Sequence, residues 1–225
     1  VSRIQSGQLT EEALLTALQK TAHQAQRAGQ IIQRIRAFVK KSEPNRTLAD
    51  VHSMVNEAVE LADIELRRHN VRLTHYVAAR LPPVMVDTIL IEQVLVNLMK
   101  NGAEAIQHAN RPAAGRSVEL RVVPKQIEDR QVVEFSVQDT GKGLAPEVLE
   151  RLFEAFFSTK AEGMGMGLNL CRSIVESHQG RMQAENLYNG PEVIGCRFSF
   201  WLPLAKPADG TTNSVANVQN PRTVA

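Results

Sequence analysis

The sequence predicts an α/β domain preceded by one long coiled-coil-type helix. Residues 14–39 place apolar and small side chains at heptad spacing. From about residue 45 to residue 204, short strand-like segments alternate with helix-like ones, and the last strands follow each other in an antiparallel pattern.

The first helix starts at "LTEEA". Thr10 suits the N-cap, and Glu11 and Glu12 suit the positive end of the helix dipole. Leu14, Leu18, Thr21, Ala25, Ala28, Ile32, Ile35 and Val39 then form an a/d seam. A seam that narrow needs a partner helix; the competing reading is an amphipathic helix lying on its own domain. Pro44 ends the element.

"RTLADV" reads as a short strand, followed by a helix over 51–68 with a core stripe of Val51, Val55, Ala58, Val59 and Ala62. "VRLTHYV" alternates like a half-buried strand, and "PPVMVD" is another. A helix follows over about 88–108. "RSVELRVVP" and "QVVEFSVQD" are strands around a polar turn, and a short helix spans about 146–153. A helix over 167–179 stops at Gly180, and "RMQAEN" and "GCRFSFWLP" are the last strands. The plan is thus a helical region over 1–43, an α/β domain over 44–205 and a disordered tail or linker over 206–225, where large apolar residues almost vanish.

Hydrophobic residues make up 43% of the 225 and charged ones 22%, enough for a packed core. A net charge of +2 argues neither for nor against nucleic acid. Cys171 and Cys196 lack metal-type spacing and fit a reducing, cytoplasmic setting. The apolar run "TILIEQVLVNLM" is interrupted by Glu92, Gln93 and Asn97, so it is no membrane span. With neither leader nor initiating Met, the chain reads as part of a longer protein that has room for a membrane anchor upstream of Val1.

Three segments carry candidate chemistry. Asn97 and Asn101 stand one turn apart on a helix, so both amides share a face. They read either as an exposed polar stripe or as two oxygen donors for a hard cation. In "VQDTGKGL" a strand ends at Asp139, and Gly141 and Gly143 break the chain. This is either an ordinary turn or a carboxylate at a pocket mouth, able to accept a hydrogen bond from an exocyclic amine while the glycines admit a flat base. "FSTKAEGMGMGLNL" puts Gly163, Gly165 and Gly167 before a helix, with Thr159 and Lys160 upstream. It matches neither the dinucleotide fingerprint nor the P-loop; the alternatives are a floppy loop or an anion site at the helix N-terminus. Their order supplies cation, base and phosphate contacts for one nucleotide.

The same segments resemble the boxes of sensor histidine kinases. Asn97 to Asn101 is similar to the N box, "DTGKGL" to the G1 box, "LFEAFFSTK" to the F box, "GMGMGL" to the G2 box and "GCRFSF" to the final glycine-led strand. "RAGQIIQRIRAFVKKSE" resembles the second helix of their dimerisation and phosphotransfer domain, and "FFSTKAEGMGMGLNLCRSIVESHQG" resembles the oxygen- and dicarboxylate-sensing subgroup. The resemblance implies the Bergerat fold of GHKL ATPases, a two-layer α/β sandwich with a mixed sheet and ATP held between helices under a lid. It implies that Asn97 and Asn101 hold Mg²⁺, Asp139 binds the adenine amine, and Gly141 and Gly143 line the base pocket. Phe153, Phe156 and Phe157 would anchor the lid, Thr159 and Lys160 would reach the phosphates, and Gly163, Gly165, Gly167 and Leu168 would meet the nucleotide. The implied partners are a second copy of the chain in the parent protein and the receiver domain of a response regulator, with no nucleic acid and no membrane contact by this region.

Two departures matter. Relatives such as gyrase, the Hsp90 chaperone and mismatch-repair ATPases carry a Glu where Asn97 stands. An amide cannot accept a proton, so hydrolysis should be slow and the γ-phosphoryl group kept for a protein acceptor. Many histidine kinases carry a Lys where Glu104 stands, and a carboxylate cannot take over a phosphate contact. None of His23, His52, His69, His75, His108 and His178 has the H-[ED]-x-x-x-P-like setting of an acceptor, which is expected upstream of Val1. The alternatives are a GHKL ATPase driving conformational change and an ATP-sensing dimerisation module without phosphotransfer.

Overall fold

Asp50 is where strand turns into helix. Its carboxylate accepts the backbone N–H of His52 at 3.0 Å, which starts α1 (Val51–Arg68) directly after β1 (Thr47–Ala49). Asp87 does the same after β3 (Val84–Val86): it accepts the Leu90 N–H at 3.3 Å and begins α2 (Thr88–Gln107). β1 and β3 pair antiparallel as a small ribbon, Leu48 opposite Met85.

The structure is a computed structural model and describes residues 44–109, 112–160 and 165–205, together with Leu15, Leu18 and Thr21. The chain divides into two compact units, Val1–Asn45 and Arg46–Ala225. In the first, Leu15, Leu18 and Thr21 are helical, and both leucines are 58% exposed. The rest of the expected seam, and the expected tail beyond residue 205, lie outside the described residues.

In the second unit, β2 (Arg72–Val77), β4 (Ser117–Ile127), β5 (Arg130–Asp139), β6 (Arg181–Asn189) and β7 (Glu192–Pro203) form one five-stranded sheet in the order β2-β4-β5-β7-β6. β2 and β4 are parallel and the other pairs antiparallel, so the sheet is mixed, as expected. Side chains alternate across a strand, and one face carries the core: Val118, Leu120 and Val122 on β4, Val133, Phe135 and Val137 on β5, Phe198, Phe200 and Leu202 on β7. Phe135 and Phe200 are direct cross-strand partners with rings stacked 4.8 Å apart.

The helices cover that face. α2 packs on β4 and β5 and also contacts both α1 and α4 (Gly167–Ser177); a further short helix, α3 (Pro146–Arg151), precedes the glycine segment. α1 buries Met54 and Leu66 besides Val51, Val55, Ala58 and Ala62, while Val59 is only half-buried. β4, β6 and β7 run past the expected strands into polar hairpin ends, where ladder hydrogen bonds continue but apolar alternation, the signal read from sequence, has stopped.

Candidate nucleotide site

Asp139 closes β5 beneath α2 and is 4% exposed. Burial pushes its carboxyl up to about 6; the backbone N–H groups of Gly141 and Cys196 pull the other way without cancelling it. The Gly141 N–H donates to Oδ1 at 2.8 Å. The close approach of α2 is made at Gly102, where a Cβ would stand 3.1 Å from Val118 Cγ2 and 3.2 Å from Asp139 Cβ. Gly102 was not legible as part of the site. Its one signal is a glycine inside a helix, directly after Asn101.

The loop after Asp139 is held from both sides. Thr140 Oγ1 donates to the Gly115 carbonyl at 2.7 Å. Gly143 has φ 73°, and a Cβ there would meet Val193 Cγ1 at 2.3 Å. The Asn186 side chain on β6 accepts the Leu144 N–H at 2.8 Å and donates to the Leu144 carbonyl at 2.7 Å. This clamp has no local sequence signal, because Asn186 is one polar position among several in a strand.

The two asparagines of α2 meet different partners. Asn97 Nδ2 donates to Cys171 Sγ on α4 at 3.1 Å, and its amide lies against Gly167, where a Cβ would stand 3.2 Å from Nδ2. Asn101 Oδ1 accepts from Lys160 Nζ at 3.3 Å, and Lys160 is also ion-paired with Glu104. The amide oxygens are hard donors of the kind Mg²⁺ accepts. Among the described residues no three His, Cys, Asp or Glu side chains gather as a metal cluster. A Mg²⁺ ion here would take its remaining ligands from phosphate and water, as that ion ordinarily does.

Between α3 and α4 the aromatic segment is partly anchored. The guanidinium of Arg151 lies 4.7 Å from the Phe157 ring centre and that of Arg172 5.4 Å from Phe153. Asn169 Nδ2 donates to the Phe153 carbonyl at 2.8 Å. Phe153 and Phe157 are half-buried, whereas Phe156 is 77% exposed, with φ 67°. Gly165 has φ 64°, and a Cβ on it would stand 2.4 Å from the Phe156 carbonyl carbon, so no other residue fits. Thr159 and Lys160 are exposed; Gly163 lies outside the described residues. α4 begins at Gly167 after Met166, with no side chain capping its first turn, which also contains the half-buried Leu168. Its leading N–H groups are therefore available to an anion.

His178 has a different task. It is 2% exposed; its Nε2 accepts the Asp87 N–H at 3.0 Å, so its Nδ1 carries the proton and donates to the Ile174 carbonyl at 2.8 Å. Burial holds its pKa below the ordinary value. It ties the end of α4 to the start of α2 as a neutral ring.

The histidine kinase-, DNA gyrase B- and HSP90-like ATPase family matches residues 86–206. The chain belongs to that family. Within it, the chain is 41% identical to the C4-dicarboxylate transport sensor protein DctS of Rhodobacter capsulatus, over 88% of this chain and 28% of that protein. It is 40% identical to the sensor protein FixL of Bradyrhizobium diazoefficiens, over 84% of this chain and 35% of that one. The fold matches the crystal structure of full-length ShkA in complex with AMPPNP, at TM-score 0.69 and 24% identity over 88% of this chain and 40% of ShkA. It also matches the catalytic domain of the histidine kinase ThkA, at TM-score 0.56 and 27% identity over 71% of this chain and 95% of that domain. The chain is the ATP-binding catalytic part of a sensor histidine kinase, and its relatives include one protein whose name gives it as a C4-dicarboxylate transport sensor. The chain spans about a third of the length of these two curated relatives. No described helix is long and apolar enough to cross a membrane.

Proposed function

We propose that residues 44–205 bind Mg-ATP and present its γ-phosphoryl group to a histidine of the parent protein outside the histidines of this chain, from which it passes to an aspartate of a response-regulator receiver domain. One observation carries the reading: a carboxylate buried at the end of β5, which no described cationic side chain neutralises, beside a glycine loop and beneath a helix with two amide oxygens. Burying an ionisable carboxyl without a cationic partner is costly even when backbone N–H groups donate to it, and a ligand amine donating to it would offset part of that cost.

Asp139 accepts from the adenine amine, with Gly141 and Gly143 shaping the loop beside the base. Asn97 and Asn101 hold Mg²⁺, which when bound spreads the charge of the phosphates. Thr159, Lys160, Gly163, Gly165, Gly167 and Leu168, with the open first turn of α4, bind the phosphate chain and form the lid with Phe157. Asn97 offers no base for water, so the site positions the phosphoryl group and leaves its use to a protein acceptor. Residues 1–43 pair with a second copy as part of the dimerisation region, residues 206–225 act as a tail or linker, and this part of the protein works in the cytoplasm.

The test is to mix the chain with Mg-ATP labelled at the γ position and a separate helical hairpin bearing an acceptor histidine. Acid-labile label on that histidine, with slow phosphate release, is expected. Rapid steady hydrolysis would assign the chain to ATP-driven conformational change instead. Tight ATP binding with no label would assign it to nucleotide sensing.

A further inference from the structure

Lys160 reaches from the segment after α3 to the face of α2 that carries Asn101 and Glu104. Its ammonium is ion-paired with Glu104 and donates to Asn101 Oδ1 at 3.3 Å. Glu104 stands three residues beyond Asn101, so carboxylate and amide share a helix face. The backbone at Lys160 is fixed as well: its N–H donates to Ser158 Oγ at 3.1 Å, and that hydroxyl lies 3.3 Å from the Lys160 carbonyl. An ammonium has three N–H donors. Two are taken by α2, and the third remains for an anionic oxygen.

We propose that Glu104 is a positioning residue for nucleotide binding: it draws the lid-side lysine Lys160 onto α2 beside Asn101, so that the ammonium stands ready for the phosphate chain. This rests on the Mg-ATP reading above. A long lysine on an exposed segment samples many rotamers, and ordering it on binding opposes affinity; holding it beforehand removes part of that cost. It also gives Glu104 a reason to stand beside Asn101, where an unpaired carboxylate would only repel phosphate. The side chains are 44% and 37% exposed, so the pair is a modest one that acts through orientation rather than through fold stability.

Mg-ATP affinity measured by calorimetry on the wild-type chain, Glu104→Ala, Lys160→Ala and the double variant tests this. Lys160→Ala is expected to weaken Mg-ATP about fivefold when Glu104 is present and less than about twofold in the Glu104→Ala background, because an undirected lysine contributes little. Glu104→Lys in the Lys160→Ala background, which puts an ammonium on α2 itself, is expected to recover most of the loss; no recovery would overturn the premise that an ammonium beside Asn101 serves the phosphates. An equal cost of Lys160→Ala in both backgrounds would overturn the proposal. A larger cost in the Glu104→Ala background would also overturn it, by showing that Glu104 competes with phosphate for the lysine. If the wild-type chain binds no Mg-ATP, the nucleotide reading and this inference fall together; if it binds and the cycle is additive, only the inference falls.

Discussion

Replacing Asp139 with Asn should make the protein more stable and less able to bind ATP. Asp139 is 4% exposed and its carboxyl is pushed from 3.8 up to about 6. A raised folded-state pKa means that ionisation opposes folding: the penalty is absent below the unfolded value, grows as pH rises, and is complete above the folded value. A rise of about two units corresponds to about 3 kcal/mol at pH 8, with no discount for solvent screening at so buried a group. The substituted amide would carry no charge, and its oxygen could still accept the Gly141 N–H. Urea unfolding should therefore show the variant more stable at pH 8, by up to about 3 kcal/mol, and by about half as much at pH 5, where the folded carboxyl is mostly protonated. Calorimetry should show Mg-ATP binding weakened about tenfold or more, from loss of a charged acceptor, with a reduced preference for ATP over GTP. A variant no more stable at pH 8, or a gain independent of pH, would refute the electrostatic argument. A stability gain with nucleotide binding untouched would refute the role of Asp139 toward adenine.

Asn101→Ala should weaken nucleotide binding about tenfold in Mg²⁺ and much less in EDTA, where only its bond to Lys160 is lost, with the far-UV spectrum intact; equal loss in both buffers would deny it a metal role. Phe135→Ala removes one ring of the stacked pair at the sheet centre and should cost about 3–5 kcal/mol in chemical unfolding, far more than a substitution at the exposed Phe156. His178 has the opposite sign to Asp139. Its folded pKa lies below 6.5, so its contribution is present above that value and is lost as pH falls toward the folded pKa, while the unfolded state takes up a proton that the buried ring refuses. His178→Gln should be less stable at pH 8, through lost hydrogen bonds, and should show a flatter decline from pH 7 to pH 5.5; an unchanged decline would show that other groups set it.

Sequence alone was enough for the local parts. Asn97 and Asn101 share a face because a helix repeats every 3.6 residues, and the glycines were legible from their alternate spacing directly before a helix; the structure adds that Gly165 has φ 64°. The alternation of Val118, Leu120 and Val122 marked β4, and the resemblance carried by the boxes identified the family that residues 86–206 match. What the tertiary structure decided are pairings between residues far apart in the chain. The strand order β2-β4-β5-β7-β6, the grip of Asn186 on Leu144 across 42 residues, the bond from Asn97 to Cys171 across 74 and the hold of Glu104 on Lys160 across 56 have no periodic signal. Nor could sequence show that Asp139 carries a raised pKa: "DTGKGL" reads the same at a surface turn. The shift exists because α2 comes down on the sheet at Gly102 and removes water from the carboxylate, and burial of that kind is a property of packing.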